Sequence, residues 1–226
     1  LPKAHPEISL YIRPFMFATQ EKLGVDFSDE YIVLTVCSPI KNYYQNNLNV
    51  IVEEKYTRTA KGGVGFAKNG GNYGAALLPQ FEAKKQGYDQ ILWLDAEKRK
   101  YIEESGTMNI AFVIEDKLIT PPLSDTILDG VTRDSLLQIA RDNNINVYEQ
   151  NISVDELIEA LKSGKRIEAF GIGTAAVIAP FESITFKEDK YYTYTGNNAI
   201  MYDLKAKLNN IRYEISPDKH KWNYKI

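Results

Sequence analysis

The chain has 226 residues, of which 44% are hydrophobic and 25% charged, and its 27 basic and 30 acidic side chains give a net charge of -3. This composition is typical of a folded globular protein, and the interspersed charges of both signs argue against a basic surface for nucleic acid. No apolar run approaches the ~18 residues of a membrane span, and no charged-apolar-small leader opens the chain. We therefore expect a cytoplasmic protein without a nucleic-acid or membrane partner.

Cysteine and histidine are scarce. Cys37 is the only cysteine and follows the apolar run 31–36, which predicts a buried small hydrophobic side chain and no disulfide within the chain. His5 and His220 lie near opposite ends, with no cysteine or acidic cluster at ligand spacing. The sequence therefore predicts no metal site and no histidine-based catalytic triad.

The first elements along the chain are predicted strands. Residues 8–19 and 30–38 are rich in β-branched and aromatic side chains, which favour strands. The stretch 41–47 is polar and rich in asparagine, as interdomain linkers often are. We therefore place a domain boundary there, with residues 1–42 before the linker, 43–47 in it and 48–226 after it.

Beyond the linker, strands and helices follow one another in no regular βαβα order, so the predicted fold class is α+β. A Gly-rich loop at 61–71 leads into a helix that Gly87 ends, and a later helix carries a Ser153–Glu156 capping box. The predicted strands are 49–56, 90–94, 100–104, 109–114, 117–120 and 166–171, and the predicted helices are 73–86, 133–142, one beginning at 153, and 198–210.

The Gly-rich loop surrounds Lys68 and superficially suggests a nucleotide-binding P-loop. A P-loop lysine is followed by serine or threonine, whereas Asn69 follows Lys68, so this interpretation fails. The plainest alternative is an exposed lysine in a flexible loop. Against it, five glycines are entropically costly in an ordinary surface loop, which indicates that a ligand approaches this backbone closely.

Three further segments carry possible chemistry. Residues 128–133 run through a glycine into a predicted helix, which suits an anion but equally an ordinary turn. Residues 171–176 imitate a dinucleotide fingerprint, yet Pro180 interrupts the helix that this motif requires. Glu104 stands at a strand end, where a solvated carboxylate is the plain alternative. Together, a loop lysine, two anion sites and an acid suit an aldehyde cofactor that carries a phosphate.

These segments resemble a known family. In order and spacing, the runs LYIRP (10–14), KNGGNYG (68–74), ESGTMN (104–109), LDGVTR (128–133) and GIGTA (171–175) resemble branched-chain amino acid aminotransferases of the fold-type IV pyridoxal-phosphate class. The resemblance covers nearly the whole chain. It implies an α+β large domain at 48–226, a mixed β-sheet or pseudo-barrel with flanking helices. It also implies that residues 1–42 are the last strands of a small N-terminal domain whose remainder this chain lacks.

The resemblance implies reversible transamination of leucine, isoleucine or valine with 2-oxoglutarate, giving 2-oxo acids and glutamate. Lys68 would hold pyridoxal 5'-phosphate as a Schiff base and move the proton at the substrate Cα. Glu104 would face the pyridine nitrogen and Tyr73 the phenolic oxygen, Leu128 would pack on the ring, and a homodimer would form. The implied cofactor contacts are Arg58, Lys68, Tyr73, Glu104, Asn109, Leu128, Gly130, Val131, Thr132 and Thr174, with the phosphate on Val131, Thr132 and Thr174 and Arg58 nearby.

The same resemblance implies a substrate pocket whose wall is mostly apolar. Its members would be Tyr11, Arg13, Tyr43, Thr107, Met108, Gly173, Thr174 and Ala175.

Two departures from the family accompany this set. Ala176 and Ala179 stand where some members carry a Cys-x-x-Cys, so a thiol switch of that kind cannot operate. The family's first domain begins upstream of Leu1 and contributes an arginine for the phosphate and aromatic pocket residues. One alternative is therefore a non-catalytic cofactor-domain fragment. The other is a different enzyme of the same fold, a D-amino acid aminotransferase or an aminodeoxychorismate lyase. The runs YIRP and GTMN favour the branched-chain group.

Overall fold

A computed structural model describes residues 8–40, Tyr44 and residues 46–224. By its internal contacts the chain divides into two units, Leu1–Gln45 and Asn46–Ile226. The division falls inside the segment that the sequence assigns to a linker. The assignment of residues 1–42 and 48–226 to a small and a large domain stays a prediction.

The first unit is a two-stranded ribbon. Strands β1 (Ser9–Ala18) and β2 (Tyr31–Ile40) pair antiparallel from Ser9 opposite Ile40 to Ala18 opposite Tyr31. Both strands were predicted. The prediction that Cys37 is buried is wrong within this unit, because the thiol-bearing residue is exposed. Two strands alone have no second layer to cover either face, and Phe15 and Val33 are exposed as well.

The second unit is built on a mixed sheet. Among the described residues it has nine strands: β3 (Leu48–Glu53), β4 (Gln90–Leu94), β5 (Ile102–Ser105), β6 (Asn109–Ile114), β7 (Lys117–Thr120), β8 (Asn146–Glu149), β9 (Ile167–Gly173), β10 (Val177–Phe186) and β11 (Asp189–Tyr192). Their order in the sheet is β5-β4-β3-β10-β9-β6-β7-β8, with β11 beside β10. Strand β3 is parallel to β4 and β10, β7 is parallel to β8, and the other neighbours are antiparallel.

Four helices accompany the sheet in the described residues: α1 (Gly70–Lys85), α2 (Val131–Asp142), α3 (Val154–Lys162) and α4 (Ile200–Arg212). Helix α1 begins three residues earlier than predicted, because the Asn69 side chain accepts a hydrogen bond from the backbone of Asn72 and caps it there. The predicted capping box of α3 is present between Ser153 and Glu156. The α+β class is confirmed. None of these helices, in the part of the chain described, is long and apolar enough to cross a membrane.

Strands β8, β10 and β11 were not predicted. Pro180 was interpreted as interrupting a helix, whereas it lies in β10 opposite Phe170 of β9. A proline is tolerated in a strand where its missing N–H is not needed, and β10 has an irregular register just beyond, between Phe181 and Ser183. The GIGTA segment is therefore followed by a strand, which removes the dinucleotide-binding alternative.

The helices cover the sheet unequally. Helices α2 and α4 pack over β6 and β9 in one apolar cluster of the described residues. Helix α1 contacts β4 mainly through Ala76 and Ala83, while its larger apolar residues Leu77, Leu78 and Phe81 are exposed. Helical spacing thus predicted the helix correctly but did not identify its buried face.

The start of α4 depends on a buried carboxylate. Its N-cap residue, Ala199, has no side-chain acceptor, so the backbone N–H groups of Ile200 and Met201 donate instead to Glu168 of β9, each at 2.9 Å. Glu168 is fully buried, and Arg166 completes its contacts at 2.7 Å. A strand residue thereby caps a helix that is distant in sequence, and the helix N–H groups and Arg166 compensate the charge of its carboxylate.

Replacing Glu168 by alanine is expected to lower the free energy of unfolding by about 3 kcal/mol, because it leaves two helix N–H groups without their acceptor and removes the ion-pair partner of Arg166. Urea denaturation of the purified chain measures this effect. The matched control is Glu159→Ala, which removes an exposed carboxylate from α3. Equal stability of the Glu168 variant and the control would contradict this account.

Candidate active site

A lysine and a tyrosine meet at the beginning of α1. Lys68 directly precedes the N-cap Asn69, and Tyr73 lies in the first turn, so the helix start brings the two side chains together. The Lys68 ammonium donates to the Tyr73 hydroxyl at 2.7 Å. Tyr73 borders a cleft that is open to solvent and is also lined by Arg58, Glu104, Thr107 and Leu128. The structure thus brings these predicted residues to one cavity.

Glu104 is the buried acid of this cleft. It lies in β5 opposite Trp93 and is only 2% exposed. One carboxylate oxygen accepts from the backbone N–H of Leu128 at 2.7 Å and from the Asn109 amide at 3.3 Å. The other lies 3.2 Å from Nε of Arg58. The alternative of a solvated strand-end carboxylate is thereby excluded.

Burial raises the pKa of Glu104 to about 7 from its ordinary value of 4.5, and the Arg58 guanidinium and the Leu128 N–H oppose that rise. The positive charge of Lys68 also favours the ionised form of Glu104. A carboxyl with this pKa changes its charge near neutrality, as groups that bind or exchange protons in active sites often do.

The raised pKa predicts a pH-dependent stability. Because folded Glu104 holds its proton more tightly than the unfolded chain does, its contribution is fully present below pH 4.5 and is lost as pH rises through 7. Relative to Glu104→Gln, the wild-type chain without ligand should lose about 3 kcal/mol of unfolding free energy between pH 4.5 and 8. Urea titrations of both proteins at each pH measure it. A constant difference across this range would contradict the raised pKa.

Arg58 links Glu104 to two loops. Its guanidinium donates to the carbonyl of Gly65, at 3.2 Å, and to that of Thr126, while its Nε faces Glu104. The family resemblance suggests that Arg58 lies near a phosphate. In the structure its donors serve Glu104 and these two backbone segments.

The segments 58–72 and 125–128 are also joined directly. The Phe66 N–H donates to the Asp125 carbonyl at 3.1 Å, and the Gly62 N–H donates to the Asp125 carboxylate at 2.6 Å. A Cβ at Gly65 would lie 2.7 Å from backbone atoms of Asp125 and Thr126, so no side chain fits there. The loop that carries Lys68 is therefore packed backbone against backbone.

The turn after Glu104 is fixed by a hydrogen bond from a buried tryptophan. Gly106 has φ +55°, and its carbonyl accepts from the indole N–H of the fully buried Trp93 at 2.9 Å. Thr107 is exposed beside the cleft, whereas Met108 is 6% exposed and packs beneath Gly171 and Gly173. The two neighbours in the GTMN run therefore face different surroundings.

Two candidate anion sites border the start of β6. Helix α2 begins at Val131 after the N-cap Gly130, and no side chain caps its first N–H groups. Gly130 fits closely against Asn109, since a Cβ there would lie 2.0 Å from the Asn109 amide oxygen. Asn109 in turn lies opposite Ile172, two residues before the 174–176 turn. The segments containing Thr132 and the pair Thr174 and Ala175 therefore both approach this strand end.

The remaining predicted residues belong to the first unit. Arg13 donates to the Tyr11 hydroxyl at 2.7 Å, and its guanidinium lies over the Tyr11 ring. Tyr43 lies outside the described residues. In the part of the chain that the structure covers, no three histidine, cysteine or acidic side chains are grouped to hold a metal ion.

Asn72 and Trp93 contact the site but were not predicted. Asn72 lies within the KNGGN run, whose second asparagine was a usable signal because asparagine often hydrogen-bonds local backbone. The sequence around Trp93 carries no comparable signal, because its role depends on the pairing of β4 with β5.

Comparisons with known proteins identify a family and several relatives of this chain. The family model for amino-transferase class IV matches residues 1–184. A "Probable branched-chain-amino-acid aminotransferase" of Staphylococcus aureus is 44% identical over 223 residues, which are 95% of this chain and 61% of that protein. The chain is also similar to the crystal structure of the branched-chain aminotransferase from Thermoproteus uzoniensis with norvaline. That match has a TM-score of 0.78 and 30% identity, and it covers 89% of this chain and 64% of that one.

A second solved structure is the T.th. branched-chain amino acid aminotransferase complexed with N-(5'-phosphopyridoxyl)-L-glutamate. The match has a TM-score of 0.75 and 25% identity, and it covers 94% of this chain and 67% of that one. The fold is thus similar to that of these two aminotransferases. The chain belongs to the amino-transferase class IV family, and it spans about three fifths of the length of the curated relative.

Proposed function

We propose that this chain is the cofactor-binding part of a pyridoxal-phosphate-dependent branched-chain amino acid aminotransferase. The observation that carries the proposal is the Lys68–Tyr73 pair beside the buried Glu104, in a class IV chain similar to branched-chain aminotransferases. The substrates are leucine, isoleucine or valine with 2-oxoglutarate, and the products are the 2-oxo acids and glutamate.

The residues present fit pyridoxal 5'-phosphate. The cleft offers an amine that can bond to an aldehyde, a phenol beside that amine and a buried carboxylate of perturbed pKa. When bound, the cofactor supplies an aldehyde that takes up the amino group and a ring that withdraws electrons from the substrate Cα. Lys68 would hold the cofactor through its amine and would move the proton at the substrate Cα.

Glu104 and Tyr73 would each contact one polar atom of the cofactor ring. Glu104 holds the proton of the ring nitrogen, and this partner favours the ionised carboxylate that Arg58 also stabilises. Tyr73 donates to the phenolic oxygen, and Leu128 packs on the ring face. Asn109 keeps Glu104 oriented through its amide.

The phosphate is assigned to the two candidate anion sites. The uncapped N-terminus of α2 supplies Gly130, Val131 and Thr132, and the turn after β9 supplies Thr174. Because Arg58 donates to the carbonyls of Gly65 and Thr126 and forms an ion pair with Glu104, we assign it to positioning Glu104.

The proposed substrate contacts of the second unit lie around Thr107 and the turn after β9. Thr107 and the backbone of Thr174 and Ala175 bind the carboxylate, while Met108 and Gly173 form the support beneath them. Tyr11, Arg13 and Tyr43 remain proposed pocket residues on the strength of the family pattern.

Mass spectrometry tests the cofactor site. After incubation with pyridoxal phosphate and borohydride, the chain should carry one pyridoxyl adduct, and peptide mapping should place it on Lys68. Lys68→Ala should lose the adduct, whereas Lys61→Ala, which removes an exposed lysine from the same loop, should keep it. Labels scattered over surface lysines would count against the proposal.

A substrate panel tests the reaction. Leucine with 2-oxoglutarate should yield glutamate and the branched-chain 2-oxo acid, with turnover falling at least ~1,000-fold in Lys68→Ala because covalent catalysis is lost. Turnover of D-alanine, or of aminodeoxychorismate, in place of leucine would favour the two other fold-type IV activities. No turnover by a chain that still forms the Lys68 adduct would favour a non-catalytic cofactor-binding fragment.

We also propose a homodimer, on the basis of the family alone. Sedimentation equilibrium of the purified chain measures the mass directly against the 25.7 kDa of one copy. The cytoplasmic location stays a prediction.

A further inference from the structure

Lys68 itself is exposed, so burial does not fix its position. A lysine side chain is long and flexible, and its reach toward a ligand depends on how firmly its backbone is held. Among the described residues, a buried side chain next to this loop could hold the backbone of Lys68. Asn72, in the first turn of α1, is 9% exposed and borders the same cleft as Tyr73.

The Asn72 amide holds the chain just before Lys68. Its Nδ2 donates to the Val64 carbonyl at 2.9 Å and to the Ala67 carbonyl at 3.0 Å. The Ala67 carbonyl belongs to the peptide unit that joins Ala67 to Lys68, so this bond helps to fix the plane of that unit. Both N–H groups of one amide are thereby used on the segment that leads into the lysine.

Two hydrogen bonds of Asn69 hold the chain just after Lys68. The Asn69 N–H also donates to the Ala67 carbonyl, at 3.0 Å, and the Asn69 side chain caps the N–H of Asn72 at 3.1 Å. Lys68 is therefore bracketed by hydrogen bonds on both sides. Tyr73, which receives the Lys68 ammonium, is the next residue after Asn72.

We propose that Asn72 is a positioning residue that presents the Lys68 amine to the aldehyde of the cofactor. This inference rests on the proposed function, because it assumes that Lys68 is the residue bonded to pyridoxal phosphate. Asn72 acts through the backbone, and it raises the rate of covalent capture rather than the affinity for the cofactor. A correctly oriented amine reacts faster without any new contact to the ligand.

The experiment follows the covalent capture of pyridoxal phosphate by the full 226-residue chain. The Lys68 nitrogen bonds to the aldehyde carbon with loss of water. Borohydride then delivers a hydride to that carbon while the nitrogen takes up a proton, and the product is a stable secondary amine. Timed borohydride quenching at several pyridoxal phosphate concentrations gives a maximal capture rate and a half-saturating concentration, both from the Lys68 peptide mass.

Asn72→Asp keeps the size of the side chain but replaces the donor with an oxygen that repels both carbonyls. Its maximal capture rate should fall about tenfold, with the half-saturating concentration within about threefold of wild type, because orientation is lost and cofactor contacts remain. Asn72→Ser, whose hydroxyl can donate to only one carbonyl, should have a maximal capture rate between those of wild type and Asn72→Asp. It provides a second variant should the aspartate fail to fold.

The control is Ala75→Gly, which weakens α1 at an exposed position without touching the Lys68 loop. It should capture the cofactor at the wild-type rate, and thermal unfolding records how much each variant destabilises the chain. Wild-type capture in Asn72→Asp and Asn72→Ser, or an equal loss in Ala75→Gly, overturns the positioning role while leaving the proposed function intact. Absence of the Lys68 adduct in the wild-type chain overturns both.

Discussion

The candidate site depends on keeping the carboxylate of Glu104 out of water. Burying a charge is costly, so the surrounding chain must supply partners that offset the lost hydration. The Arg58 guanidinium, the backbone N–H of Leu128 and the Asn109 amide do so, each from a different segment. The fold around the cleft is therefore organised by the requirements of one acid.

The contacts of Glu104 extend to the rest of the site. Asn109 also donates to the Leu128 carbonyl at 2.8 Å and packs against Gly130, which precedes α2. The carboxylate and the N-terminus of α2 are thus held at a fixed separation by one side chain. Under the proposed function, Glu104 would face the ring nitrogen and the N-terminus of α2 would face the phosphate, so one network would orient both ends of the cofactor.

Local signals in the sequence predicted much of this structure. The strands predicted at 90–94, 100–104, 109–114 and 117–120 correspond to β4, β5, β6 and β7, and the Ser153 capping box predicted the start of α3. Features that depend on distant partners were missed. The Arg58–Glu104 pair joins residues far apart in sequence, the strand character of Pro180 depends on pairing with Phe170, and the exposed apolar face of α1 has no local signature.

The close packing of Gly65 against the 125–126 backbone restricts how the site can move. Because Phe66, Gly62 and Arg58 all bond to this backbone or to the Asp125 side chain, the two loops can separate only if several hydrogen bonds break together. The lysine loop cannot act as an independent lid within this unit. A ligand of this cleft therefore meets a loop that is fixed to the 125–126 backbone rather than one that moves alone.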